Sequence, residues 1–291
     1  MALSVDPLWP RAGNWPAPTG DVDFGLIGIP TWRSSLSATK AYQTPAAVRE
    51  ALRYYSEFFH EGADEAISFA DWGDVDDPDA DEPATVDAVA ATTARLLVAL
   101  GGDNAATVPA ALGTWADRIG TAGLVTVDAH YDLRDGISNG SPVRRLIEAG
   151  LDGRRVVQVG IVDFANSAEY AARALDYGIT VVHRDVLHRR PMADIMGEAL
   201  EIASSAGGPV HVDLDVDACD RSVAPACPAS LPGGISAAEL RSAARAAGRH
   251  PLVESIDLTE VDSTTDVADQ RTIRLVALCV LEAAAGLRLR A

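Results

Sequence analysis

The chain is poor in cysteine, in aromatic residues and in positive charge, and each shortage narrows what it can be. Its three cysteines, Cys219, Cys227 and Cys279, are an odd number without Cys-x-x-Cys spacing. They do not read as a disulfide framework, and a reduced, cytoplasmic setting is expected. Aromatics make up 5% of the residues while alanine is abundant, which favours helices packed closely on a sheet. Lys and Arg total 24 against 42 Asp and Glu, a net charge of -18. That balance excludes nucleic acid and anionic membrane surfaces as partners. No basic segment followed by an apolar one opens the chain, and no apolar run is long enough to span a bilayer.

What is present points to an α/β chain. At 291 residues, 48% of them apolar, there is material for a sizeable core. Residues 1–21, rich in Pro, Gly and Trp and without periodicity, read as an irregular arm pinned by Trp9 and Trp15. Short apolar runs then alternate with helical spacing. Strands are expected at 24–30, 69–75, 95–100, 123–127, 155–161, 179–182, 209–214 and 253–258. Helices are expected at 45–59, 83–94, 105–119, 142–150, 167–177, 191–205, 236–248 and 270–287. Pro45 and the capping box from Ser236 to Glu239 mark two of the starts. This alternation implies a three-layer α/β fold, a mostly parallel sheet with helices on both faces. No linker, repeat or low-complexity tract divides it, so 1–291 reads as one domain. Ligands of such sheets bind at the carboxyl ends of the strands.

Unusual residues collect at three strand ends. Gly101-Gly102-Asp103-Asn104 is either a turn built for close backbone approach or a plain strand-to-helix turn capped by Asn104. Asp128, His130 and Asp132 are alternate residues after an apolar run, so in an extended chain they share a face. Taken alone they are a site for a divalent ion or a polar cluster at a strand end. Asp213, Asp215 and Asp217 repeat the alternation, and three carboxylates in line are costly to bury without a cation. Two such triplets make one shared metal cluster the better account. Cys219 and Cys227 flank it as spacers. His183, His188 and His250 read as surface groups, and His60 as a helix end near the site mouth.

Together these segments resemble the ureohydrolase superfamily, the arginase and agmatinase family. Gly101-Gly102-Asp103 is similar to its GGDH turn, and Asp128-Ala129-His130-Tyr131-Asp132 matches its DAHxD motif. Asp215 to Asp220, followed by Ala224-Pro225 and Gly233-Gly234, matches its DxDxxDP segment, and Asp257 to Asp262 its DxxEV segment. The resemblance runs in order from about residue 24 to the end. It implies an arginase-like fold and a hydrolase of linear amidines, with two Mn2+ per chain and a bridging hydroxide that attacks a guanidino carbon. By the same resemblance, Asn104, Asp128, Asp132 and Asp215 hold one ion. Asp128, His130, Asp215 and Asp217 hold the other. Asp132 orients the hydroxide and passes its proton on, and Glu260 pairs with the cationic guanidinium.

Three positions depart from the family's pattern. Asn104 stands for a histidine, Asn139 for the proton-shuttling histidine of arginases, and Arg221 for a proline. The last concerns only its loop. An amide carries no proton at neutral pH, so ordinary arginine hydrolysis is disfavoured. The asparagine at the first ligand position is similar to the branch that hydrolyses N-omega-hydroxy-L-arginine to hydroxyurea and L-ornithine in D-cycloserine (antibiotic) biosynthesis. That substrate is the expectation, with Asn139 bonding the hydroxyl. Beside it stand arginase, agmatinase or formiminoglutamase activity, and a relative that binds a guanidino ligand without turning it over. Asp163 is either a contact to the substrate's amino-acid part or a helix cap, and Asp213 supports the ligands from behind. The expected partner is a small guanidino amino acid. Oligomeric state is open between a monomer and the family's trimers and hexamers.

Overall fold

The computed structural model describes residues 3, 5–61 and 66–290; Met1, Ala2 and Ser4 of the arm lie outside it. The strands are β1 (Val22–Ile29), β2 (Phe69–Asp74), β3 (Ala94–Gly101), β4 (Gly123–Val127), β5 (Val156–Ile161), β6 (Thr180–His183), β7 (Val210–Asp215) and β8 (Val253–Thr259). They form one eight-stranded sheet in the order β2-β1-β3-β8-β7-β4-β5-β6. Every pairing is parallel. β4, β5 and β7 are buried along their whole length, as strands covered on both faces must be.

The helices are α1 (Thr44–Leu52), α2 (Glu82–Ala90), α3 (Thr107–Trp115), α4 (Pro142–Glu148), α5 (Ala168–Tyr177), α6 (Arg184–Leu187), α7 (Met192–Ala203), α8 (Ala237–Arg249) and α9 (Arg271–Arg288). Val48, Ile195, Leu240 and Val280, from α1, α7, α8 and α9, join Leu26, Val98 and Val212 in one core. Val108, Leu146 and Ala174, from α3, α4 and α5, join Leu124 and Val156 in a second. Val98 belongs to the first core while its neighbours Leu97 and Ala99 join α2 and α3 residues in a third. Alternate strand residues thus serve opposite layers, which gives the three-layer α/β fold.

Local differences from the sequence reading have physical causes. The helix expected over 45–59 stops at Leu52, where the chain tightens and the Tyr55 carbonyl accepts the arm's Ala12 N–H at 3.0 Å. The helix expected over 105–119 is shortened by 3-10 turns at both ends, and Ala116 takes φ 50, a conformation no α-helix continues through. The arm is held by Trp15, whose ring stacks 4.7 Å from Phe69 and whose indole donates to Glu57 at 2.6 Å. Trp9 remains 51% exposed and is not a second pin.

Candidate metal centre and active site

Four adjacent strands in mid-sheet, β3, β8, β7 and β4, deliver their carboxyl ends to one place. At the end of β3, Gly102 passes so close to Thr31 that a Cβ there would sit 2.0 Å from the Thr31 carbonyl oxygen. Only glycine allows that crossing. At the next strand, the Glu260 N–H binds the Gly102 carbonyl at 3.0 Å.

β4 ends at Val127, so a loop, not an extended strand, carries Asp128, His130 and Asp132. Asp132 has φ 52, in the left-handed region, and Glu260 has φ 61. Two non-glycine residues held this way at one site mark backbone imposed by its surroundings. Asp128 Oδ1 accepts the His130 N–H at 2.7 Å, and His130 Nδ1 lies 3.2 Å from Asp217 and 3.4 Å from Asp128. Beyond β7, Asp217 sits in a 3-10 turn, and its N–H binds Asp215 Oδ1 at 2.8 Å. Two groups result, Asp128 with His130 and Asp217, and Asp128 with Asp132 and Asp215. In each, the ligand atoms lie within 4.8 Å of one another, and Asp128 belongs to both.

This donor set fits cations. Asp128, Asp132, Asp215 and Asp217 are all buried. Asp128 Oδ2 and Asp217 Oδ1 are buried without a hydrogen-bond partner, an arrangement native proteins avoid unless an ion or water completes it. Burial, then the neighbouring negative charges, push the Asp128, Asp132 and Asp215 carboxyls above the ordinary range. Burial opposes the charge on His130, but Asp217 and Asp128 outweigh it and hold the imidazole's pKa up at about 12. In the absence of metal the cage therefore gathers protons. Carboxylates with one imidazole suit manganese and similar divalent ions.

Asn104 and Asn139 hold their neighbours. Asn104 Oδ1 accepts from Thr107 at 2.7 Å and from Thr259 at 3.0 Å, while Nδ2 donates to Asp132 at 2.5 Å. In this orientation its nitrogen, not its oxygen, faces the cage. Asn139 Oδ1 accepts the Leu36 N–H at 2.9 Å, and Nδ2 donates to Glu260 Oε1 at 2.5 Å. The same Oε1 accepts the Asn104 N–H at 2.9 Å. Burial, followed by the charges of Asp103 and Asp217, raises the Glu260 pKa to about 8.

A cavity of about 290 Å³ opens over these groups, with His130, Asp132, Asp215, Asp217 and Glu260 at its floor and Arg134 and Asn139 among its walls. Asp163 is exposed and does not line it. Nor does Asp163 cap α5; Ser167 does. His60 is 76% exposed at its side chain and also lies outside the cavity lining. Asn166 escaped the sequence reading. Its side chain accepts the Tyr131 N–H at 3.0 Å and donates to the Ala129 and Val162 carbonyls, bracing the loop that carries His130. Its only sequence signal was a place before a helix start.

Asp213 is fully buried behind the cage, within 3.5 Å of the Thr259 hydroxyl. Burial and the adjacent Asp257 raise its carboxyl well above the ordinary range. His211, also buried, spans Ser255 at 2.7 Å and Asp257 at 3.1 Å. Among the described residues no cysteine joins a ligand group. Arg221 donates to the Cys227 and Pro228 carbonyls, so its role is in its loop.

A parallel α/β sheet with an acidic cage at its carboxyl ends defines a class, the metal-dependent hydrolases of the arginase-like fold. The chain belongs to the Arginase family, whose model matches residues 22–286. It is a hydrolase acting on linear amidines. The formimidoylglutamase of Halalkalibacterium halodurans is 33% identical over 273 residues, covering 89% of this chain and 85% of the relative. That of Bacillus subtilis is 32% identical over 279 residues, covering 91% and 87%. The solved structure of formimidoylglutamase from Bacillus subtilis superposes with a TM-score of 0.89 at 28% identity, covering 99% of this chain and 95% of that one. The formiminoglutamase of Trypanosoma cruzi, solved with Mn2+, shares the fold at a TM-score of 0.86 and 23% identity, covering 97% and 99%.

Proposed function

We propose that this chain hydrolyses N-formimidoyl-L-glutamate to L-glutamate and formamide, using two manganese ions. The observation that carries this is the pair of ligand groups sharing Asp128, in a chain similar over about nine-tenths of its length to formimidoylglutamases. The substrate expected from Asn104 alone, N-omega-hydroxy-L-arginine, gives way to the alternative held beside it. Hydroxyurea and antibiotic biosynthesis go with it.

Asp128, His130, Asp215 and Asp217 would hold one ion, and Asp128, Asp132 and Asp215 the other. When bound, such ions would lower the pKa of a coordinated water and so supply hydroxide near neutral pH. The chain's own groups do the rest. Glu260 Oε1 is already occupied by Asn104 N–H and Asn139 Nδ2, which leaves Oε2 for the amidinium N–H of the substrate. An amidinium beside it returns Glu260 to the ionised form that its burial opposes. Asn139 serves by holding Glu260, and no proton passes through it. Water adds to the formimidoyl carbon and the bond to the glutamate nitrogen breaks. Asp132 takes the proton the water loses and delivers it to that leaving nitrogen. Formamide and L-glutamate account for every atom.

Side-by-side assays of manganese-loaded protein with N-formimidoyl-L-glutamate, L-arginine, agmatine and N-omega-hydroxy-L-arginine test this reading. Formamide release from the first should lead in kcat/KM by at least about tenfold. Faster urea or hydroxyurea release from another would overturn it.

A further inference from the structure

We propose that the segment after β1 is a flap that closes on the substrate's chain, with Leu36 as its covering side chain and Asn139 as the latch that ties it to Glu260. The inference rests on the reading of Glu260 as the group that meets the amidinium. Residues 30–40 carry no helix or strand. Both ends of this segment are fastened. The Trp32 and Arg33 N–H groups bind the Asp79 carboxylate at 3.0 and 3.2 Å, and the Thr31 carbonyl accepts the Asp103 N–H at 2.9 Å. At the far end the Lys40 N–H binds Asp262 at 2.8 Å.

Between those anchors the hold is slight. Among the described residues, hydrogen bonds from 34–38 to the protein outside the segment go to Asn139 alone. The Leu36 N–H reaches its Oδ1 at 2.9 Å, and its own N–H reaches the Ser34 carbonyl at 3.4 Å. The hydroxyls of Ser34, Ser35 and Ser138, on the two sides of that seam, are buried with no hydrogen-bond partner, groups that a tight contact would pair. Leu36 lines the cavity yet is 58% exposed. A Cβ at position 140 would lie 3.2 Å from Leu36 Cδ1, so the bare glycine lets the leucine rest on the rim. An apolar side chain left largely in water at a cavity rim gains by covering methylene groups bound beside it.

Asn139 joins this flap to the floor of the site. Its one amide accepts from Leu36 through Oδ1 and donates to Glu260 Oε1 through Nδ2. A cation on the free Oε2 would hold the Glu260 carboxylate in place, and with it the amide and the flap N–H that the amide receives. Hydrogen bonds in such a chain polarise one another, so each strengthens the next. Binding of a cationic head at the floor thus tightens the rim over the chain that follows it.

Hydrogen exchange of the manganese-loaded protein tests the latch, with acetamidine as a bare amidine head. At saturating acetamidine the amides of 34–38 should exchange about five- to fiftyfold more slowly in wild type, the scale of one strengthened hydrogen bond. Asn139→Ala should exchange faster and show no slowing with acetamidine. Leu36→Ala, which keeps the N–H and the latch, should slow as wild type does. Unchanged exchange in wild type, or equal slowing in Asn139→Ala, would overturn the latch. Turnover tests the cover. With N-formimidoyl-L-glutamate, Leu36→Ala should raise KM about three- to tenfold and change kcat by less than about twofold, the scale of losing a few tens of Å² of apolar contact. Leu36→Met should recover most of that loss, and inhibition by acetamidine, which has no chain to cover, should stay level. An unchanged KM, or an equal loss of acetamidine inhibition, sinks the cover. If wild type turns over no N-formimidoyl-L-glutamate yet acetamidine slows the flap through Asn139, the latch stands and the reaction falls.

Discussion

The two halves of the acidic cage differ in what faces their carboxylates. In one, His130 Nδ1 stands 3.2 Å from Asp217 and 3.4 Å from Asp128. In the other, Asn104 Nδ2 meets Asp132 at 2.5 Å. An imidazole becomes a ligand by losing a proton, whereas an amide nitrogen keeps its hydrogens and cannot. In the arrangement proposed above the Asn104 half has Asp128, Asp132 and Asp215 as its charged ligands and no imidazole, and its ion should be the weaker of the two.

Removing that shared wall should have the largest effect. Asp128→Ala takes a ligand from both groups. It should abolish measurable manganese binding and lower kcat/KM by on the order of a thousandfold or more, the scale of losing a main electrostatic stabiliser. Elemental analysis showing two retained ions would mean the groups are wrongly assigned. Asn104→His attacks the asymmetry itself. It should tighten the second ion by about ten- to a hundredfold and leave the first nearly unchanged, as resolved by a two-step calorimetric titration. Equal tightening of both steps would contradict the comparison.

Smaller effects follow from protons. Asp132 and Asp215 sit well above the ordinary carboxylate range, and Glu260 is raised to about 8. With metal absent, the folded state binds more protons than the unfolded one from about pH 4, the ordinary carboxylate pKa, up to about 8. Stability of the metal-free protein should therefore fall as pH rises through that window. Manganese displaces those protons, so its affinity should rise with pH over the same range. Thermal melts with and without manganese check both signs. The smallest effect belongs to Thr259→Val, which removes one donor to Asn104 Oδ1. It should cost about 1 kcal/mol of stability and leave metal content at two ions.

How much of this was legible depended on distance along the chain. The triplets at 128–132 and 213–217 were visible because ligand residues clustered after apolar runs. The mechanism of their convergence was not. Alternation along an extended strand predicted it, but Asp132 returns to the cage through a left-handed turn and Asp217 through a 3-10 turn. Asp213 shares the strand's parity yet lies behind the cage, within reach of Thr259 and not in a ligand group. Asn139 looked like a free substrate contact because its partners, Leu36 and Glu260, are far away in sequence. The three-layer fold was legible from the alternation of elements. The strand order was not, since local pattern does not say which strand sits beside which.

Two-metal hydrolysis of a formimidoyl acid ties turnover to the number of bound ions. Protein stripped of metal and titrated with manganese should be assayed for formamide release from N-formimidoyl-L-glutamate while bound metal is counted. Activity should stay low with the first ion and become full as the second, weaker site fills. Full activity at one ion per chain, or none at two, would contradict it.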